Sequence, residues 1–174
     1  MHILLAALAL VAIIAYWIFR TGQTTQSSGT ALEAPQDVKA AANRFGYKAL
    51  LNQHPTESVD DPRVTGAALL ILVAEIDGGI SRAEKESIEE QLRKVFELSE
   101  SDSKELYVFA KWIASQSSNQ DDMIRRLIMR TVKLGGRDTI PDMMQMVNAV
   151  GRADTGTLTD DTQQVIERLK QLLN

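Results

Sequence analysis

Asp77-Gly78-Gly79-Ile80-Ser81, with Glu84 one helical turn further on, gathers two carboxylates and a hydroxyl around a glycine turn. Oxygen donors of this kind hold hard divalent cations. Asp77, Gly78, Ser81 and Glu84 fall on positions five, six, nine and twelve of a calcium-binding EF-hand loop. The first position would then be Val73, which has no oxygen to offer, and the third Glu75. Only the second half of the loop pattern is present, so a true EF-hand is not expected.

The same residues also have a plainer chemistry. Gly78 and Gly79 can take the left-handed backbone that ends a helix. Ser81 stands where the next helix needs an N-cap, and Glu84 has the spacing of a capping-box partner. Asp77 is the residue this leaves over, because a carboxylate at a helix C-terminus faces the negative end of the macrodipole. A second turn, Asp154-Thr155-Gly156-Thr157-Leu158-Thr159, repeats the arrangement between two apolar segments, with Thr162 in place of the glutamate. Two such hairpins suggest a pseudo-symmetric bundle with both acidic turns at one end. Each aspartate can accept hydrogen bonds from N–H groups of its own turn. The alternative is a divalent metal ion held by Asp77, Glu84 and Asp154.

Other chemistries have little to work with. The chain has no cysteine and only two histidines, His2 and His54, among 174 residues. Disulfides, thiolate metal sites and cysteine nucleophiles are excluded, and a Ser-His-Asp triad or multi-histidine site is close to excluded. No enzyme activity is expected. His54-Pro55-Thr56 shares two residues with the His-Pro-Asp of J domains but lacks the aspartate, and reads as a surface loop.

The elements that must position the turns read as helices, over about 36–52, 62–77, 82–97, 101–117, 120–135, 139–151 and 160–173. Thr65 to Ile76 is apolar almost all round, as a helix in the middle of a bundle would be. Asp61-Pro62 and Thr159-Asp160-Asp161 mark helix starts, and Gly135-Gly136 and Gly151 mark ends. The doublets Asp60-Asp61, Asp121-Asp122 and Asp160-Asp161 all stand at starts, where acids favour the dipole. Ile88, Leu92, Val95 and Phe96 form one core stripe, and Ile124, Leu127, Ile128, Met129 and Val132 another. Met143, Met144 and Met146 also read as core.

Ahead of this body, Ile3 to Phe19 carries no charged residue. These residues would reach roughly 25 Å as a helix, and His2 with a snorkelling Arg20 makes the span adequate for a bilayer. Residues 1–20 therefore read as a transmembrane anchor rather than a cleaved signal, since the nearby basic residues Arg20, Lys39, Arg44 and Lys48 follow the apolar run. That asymmetry places the N-terminus outside and the body in the cytoplasm. Residues 21–34 have the small, polar composition of a flexible linker. Beyond residue 20 the chain holds 18 basic and 23 acidic residues, a net charge of −5. Nucleic acid is not an expected partner.

Ala74-Glu75-Ile76-Asp77-Gly78-Gly79-Ile80-Ser81-Arg82-Ala83-Glu84, with the apolar helix before it and Ile88, Leu92 and Phe96 after it, resembles the TerB-like family of tellurite-resistance proteins. The resemblance covers roughly residues 35–174. It implies an all-α fold, a bacterial origin, and a setting of tellurite resistance, stress response and membrane-linked complexes. It also implies an acidic metal-binding patch, which on matching positions here involves Asp77 and Glu84. The layout of membrane helix plus TerB-like domain is similar to that of a membrane-anchored DnaJ-like co-chaperone. No J domain follows in this sequence, so Hsp70 recruitment through one is not expected.

These readings converge on an all-α protein with a single N-terminal transmembrane helix, a linker and a bundle of about seven helices. The expected function is a non-enzymatic protein-interaction module at the bacterial inner membrane, in metal resistance or envelope stress. The alternative is a module that binds or senses a divalent metal ion.

Overall fold

Eleven consecutive residues, Val64 to Ala74, are all buried, and this organises the rest of the molecule. A helix apolar around its whole circumference must be covered on every side, so its neighbours form a sheath. The computed structural model describes residues 36–48, 53–76 and 78–172. The expected anchor (1–20), the linker (21–34) and Asp77 lie outside the described residues.

Seven α-helices are described: α1 (Gln36–Arg44), α2 (Pro62–Glu75), α3 (Arg82–Phe96), α4 (Glu100–Ala114), α5 (Gln120–Gly135), α6 (Ile140–Gly151) and α7 (Asp160–Gln171). Short 3₁₀ turns occupy Pro55–Ser58 and Arg137–Thr139. No strand occurs among the described residues. The central α2 packs against α3, α4, α5 and α6, while α1 lies on α4 and α7 on α6. Leu69, Leu70 and Ile71 are at most 1% exposed, and each such side chain contributes about 1.5–3 kcal/mol of burial free energy. Among the described residues no helix is long and apolar enough to cross a membrane.

Local capping fixes where these helices begin. Asp61 Oδ1 accepts from the Arg63 N–H at 2.9 Å, with Pro62 at the first helical position. Ser99, Asn119 and Thr159 accept from the N–H groups of Asp102, Asp122 and Thr162. Each bond satisfies one of the four N–H groups that a helix start leaves without a partner.

Three expectations need correction. The first helix ends at Arg44 rather than near 52, because Phe45 and Tyr47 turn inward onto α4. Tyr47 meets Phe109 edge-on at 5.3 Å, and Phe45 stacks near the same ring at 6.4 Å. The segment after His54 is no surface loop, since Thr56 is 0% exposed inside a 3₁₀ turn. Met129 leaves the core stripe and is 54% exposed, its place taken by Thr131, which faces Thr65 on α2.

Candidate end cleft

Apart from Asp77, which lies outside the described residues, the two glycine turns are built as the sequence suggests, with one difference. After α2, Gly78 has φ +130° and its N–H reaches the Glu75 carbonyl at 3.1 Å. Ser81 Oγ then accepts from the Glu84 N–H at 3.2 Å, and the Glu84 carboxylate accepts from the Ser81 N–H at 2.8 Å. This capping box engages one carboxylate oxygen of the candidate ligand Glu84. In the second turn Gly156 has φ +76° and its N–H reaches the Arg152 carbonyl at 2.9 Å. The side-chain acceptor inside that turn is Thr155, which takes the Thr157 N–H at 3.4 Å. Asp154 stands exposed at the surface, so the turn-closing role expected for it falls to its neighbour.

The end of α2, the start of α5 and one face of α7 meet in one open cleft of about 480 Å³. Ile76, the last residue before Asp77, contributes the end of α2. The start of α5 contributes Asn119, Gln120, Asp121 and Ile124, and α7 contributes Asp161, Gln164, Val165 and Arg168. The four α7 residues have the spacing of one helix face. Ile76, which precedes the first acidic turn, and Asp161, which follows the second, line the same cleft.

Polar bonds hold the cleft in shape. The Ile76 N–H turns to the Val73 carbonyl in a tightened last turn, so the Leu72 carbonyl needs another donor. Gln120 Nε2 supplies it at 2.9 Å and ties the start of α5 to the end of α2. Across the opening, Arg168 pairs with Asp121 at 3.1 Å. Asp161 accepts a longer contact from Gln164 at 3.4 Å.

The neighbouring electrostatics are set by burial and by arginine. Burial pushes the Glu75 carboxyl above its ordinary value at the end of α2, against the pull of Lys111. Arg126, followed by Arg125, holds Asp122 below the usual carboxylate range through hydrogen bonds. Among the described residues no group of three or more histidine, aspartate or glutamate side chains could hold a metal ion. Asp77 is not among them.

Gln120, Asp121, Asp161, Gln164 and Arg168 were not singled out as site residues by sequence reasoning. Asp121 and Asp161 were read only as first-turn acids, which they are. The 161, 164, 165, 168 spacing signals a shared face, but nothing in it says which helix ends lie opposite.

A family model described as "Tellurite resistance protein TerB" matches residues 63–174. No curated protein and no solved structure matches the chain. The matched segment begins at the first turn of α2 and includes every residue that lines the cleft. It leaves α1 and the 3₁₀ turn at Pro55–Ser58 outside.

Proposed function

This chain belongs to the tellurite resistance protein TerB family, and from that premise we propose that it is a non-enzymatic interaction module which seats a partner protein in its end cleft. Residues 1–20 anchor it in the bacterial inner membrane, and residues 21–34 space the bundle off the cytoplasmic face. Metal resistance or envelope stress is the setting in which the partner acts.

One observation carries the reading: the cleft begins at Ile76, within the stretch that bears the family resemblance, and is walled by the end of α2, the start of α5 and a face of α7. A turn whose glycines, serine and glutamate all serve to stop and restart a helix is under no further chemical demand. Its position beside a polar opening gives it a function as a frame. Arg168 and Gln164 supply donors and the two aspartates supply acceptors, and arginine is enriched at interfaces whose rims are polar.

The test is a photo-crosslinking residue at Gln164 in the full-length chain, compared with one at Lys94 on the exposed side of α3. A discrete adduct from position 164 alone supports the reading, and equal or absent adducts from both positions overturn it. Alkaline extraction of membranes tests the anchor. The full chain should stay in the pellet and a chain without residues 1–20 should leave it.

A second reading is a divalent cation on the acidic turns, the first of which follows directly on Ile76 at the edge of the cleft. A divalent cation would then use Asp77 with help from Glu84 and Asp154. Calorimetry of the full chain with calcium, magnesium, zinc and manganese decides it, since no heat and no stability shift leaves no bound ion.

A further inference from the structure

Taking the cleft as the partner's seat, we propose that it selects a basic segment, placing a lysine or arginine side chain between Asp161 and Asp121, and that Arg168 is the internal stand-in for that cation. The premise is the reading above, and the charge selectivity is new.

The lining decides the sign of the ligand. Helix N-termini attract anions, but the first turns of α5 and α7 already carry Asp121, Asp122, Asp160 and Asp161. Those carboxylates complement the dipoles and leave no demand for another anion. The cleft holds two aspartates and one arginine. Arg168 pairs with Asp121, and among the described residues Asp161 has no ion pair. One negative charge is therefore left over at the opening, in a chain whose residues beyond position 20 sum to −5.

The existing pair is built to exchange. The Asp121 side chain is 79% exposed and that of Arg168 39%, so solvent screens their attraction and the pair contributes little to stability. A partner's cation arriving at Asp121 replaces it at small cost. Ile76, partly exposed over the buried Ile124 and Val165 in the same lining, suits the methylene stem of a lysine or arginine, whose charged head remains with the aspartates.

The experiment uses the full-length chain in a nonionic detergent and three labelled dodecapeptides, alternating leucine with lysine, glutamine or glutamate. Anisotropy should rank lysine first and glutamate last. Asp161→Asn and Asp121→Asn should each weaken the lysine peptide by up to about five-fold, the size of one surface ion pair. Arg168→Ala should tighten it, because the internal competitor is gone. A tightening absent or reversed in Arg168→Ala overturns the stand-in role. Equal binding of all three peptides overturns the charge selectivity. Gln164→Trp fills the cleft and should abolish binding, and lysine-peptide binding that survives it belongs to the acidic surface at large and also overturns the proposal. Failure of the underlying reading looks different: in Gln164→Trp the partner adduct, captured from a second cleft position such as Ser118, would persist undiminished.

Discussion

Thr131 on α5 and Thr65 on α2 meet hydroxyl to hydroxyl at 2.7 Å in the core, at 3% and 0% exposure. Thr65 passes its own proton to the Pro62 carbonyl at 3.0 Å, and Thr131 also lies 2.8 Å from the Leu127 carbonyl. The pair is thus a buried polar rivet between two helices that are joined mainly by apolar side chains, with the Gln120–Leu72 bond at one end. Thr131→Val leaves the buried Thr65 oxygen without its donor, and Thr65→Val removes the acceptor while Thr131 can still turn to Leu127. Each single change should cost about 1 kcal/mol. The double valine variant replaces both hydroxyls by methyl groups of similar shape, so it should cost less than the sum of the two. Urea denaturation of all four chains measures the coupling. Additivity within about 0.3 kcal/mol would mean the two hydroxyls do not depend on each other.

Gly151 closes α6 where α7 crosses it. A Cβ at this position would stand 2.7 Å from Thr162 Cγ2 and 3.0 Å from Leu158 Cδ2. Alanine is the better helix former by about 1 kcal/mol, yet here the overlap should outweigh that gain and destabilise the protein by about 1–3 kcal/mol. Thr162→Ser removes the nearer methyl and keeps the hydroxyl that faces Thr159 at 3.0 Å. Adding it to Gly151→Ala should recover part of the loss, as read from the melting temperature. A Gly151→Ala chain that melts at or above the wild type would show that the two helices have room to spare.

The same glycine marks what can and cannot be read along a chain. Gly135 and Gly151 look like helix stops, and the helices do stop there, but both are the last helical residues and lie against Thr139 and Thr162. Close approach, of the following 3₁₀ turn at Gly135 and of α7 at Gly151, rather than backbone freedom excludes a side chain at these positions. Helix starts were legible because capping is local: Asp61, Ser81 and Thr159 each bond within three residues of themselves. The end of α3 was legible to within one residue, at 97 against Phe96, although the left-handed Glu97 that closes it (φ 53°) has a side chain that does nothing to announce that conformation. The central place of α2 followed from its lack of a polar face. The cleft did not follow from anything local, since Gln120 reaches Leu72 and Arg168 reaches Asp121 across 48 and 47 residues of sequence.

His54 makes the stability of the bundle depend on pH. Its Nδ1 accepts from the Thr56 N–H at 3.3 Å and lies 2.8 Å from Thr56 Oγ1, so the ring proton sits on Nε2 and the imidazole is neutral. Burial, helped by the Arg126 guanidinium, holds its pKa below the ordinary 6.5, while Asp122, Glu57 and a hydrogen bond with the Gln116 backbone pull the other way. A proton on Nδ1 would set one N–H against another at the start of the 3₁₀ turn. Since the folded value is the lower one, the unfolded chain takes up the proton first. The stability His54 lends is whole above 6.5 and is lost as pH falls from there through the folded value. His54→Gln keeps an acceptor and a donor but does not titrate, so its deficit against the wild type should be larger at pH 7.5 than at pH 5, conditions about one unit or more to either side of the ordinary histidine pKa. Urea midpoints at the two pH values measure it. A deficit that is the same at both, or larger in acid, would remove His54 as the source of the dependence.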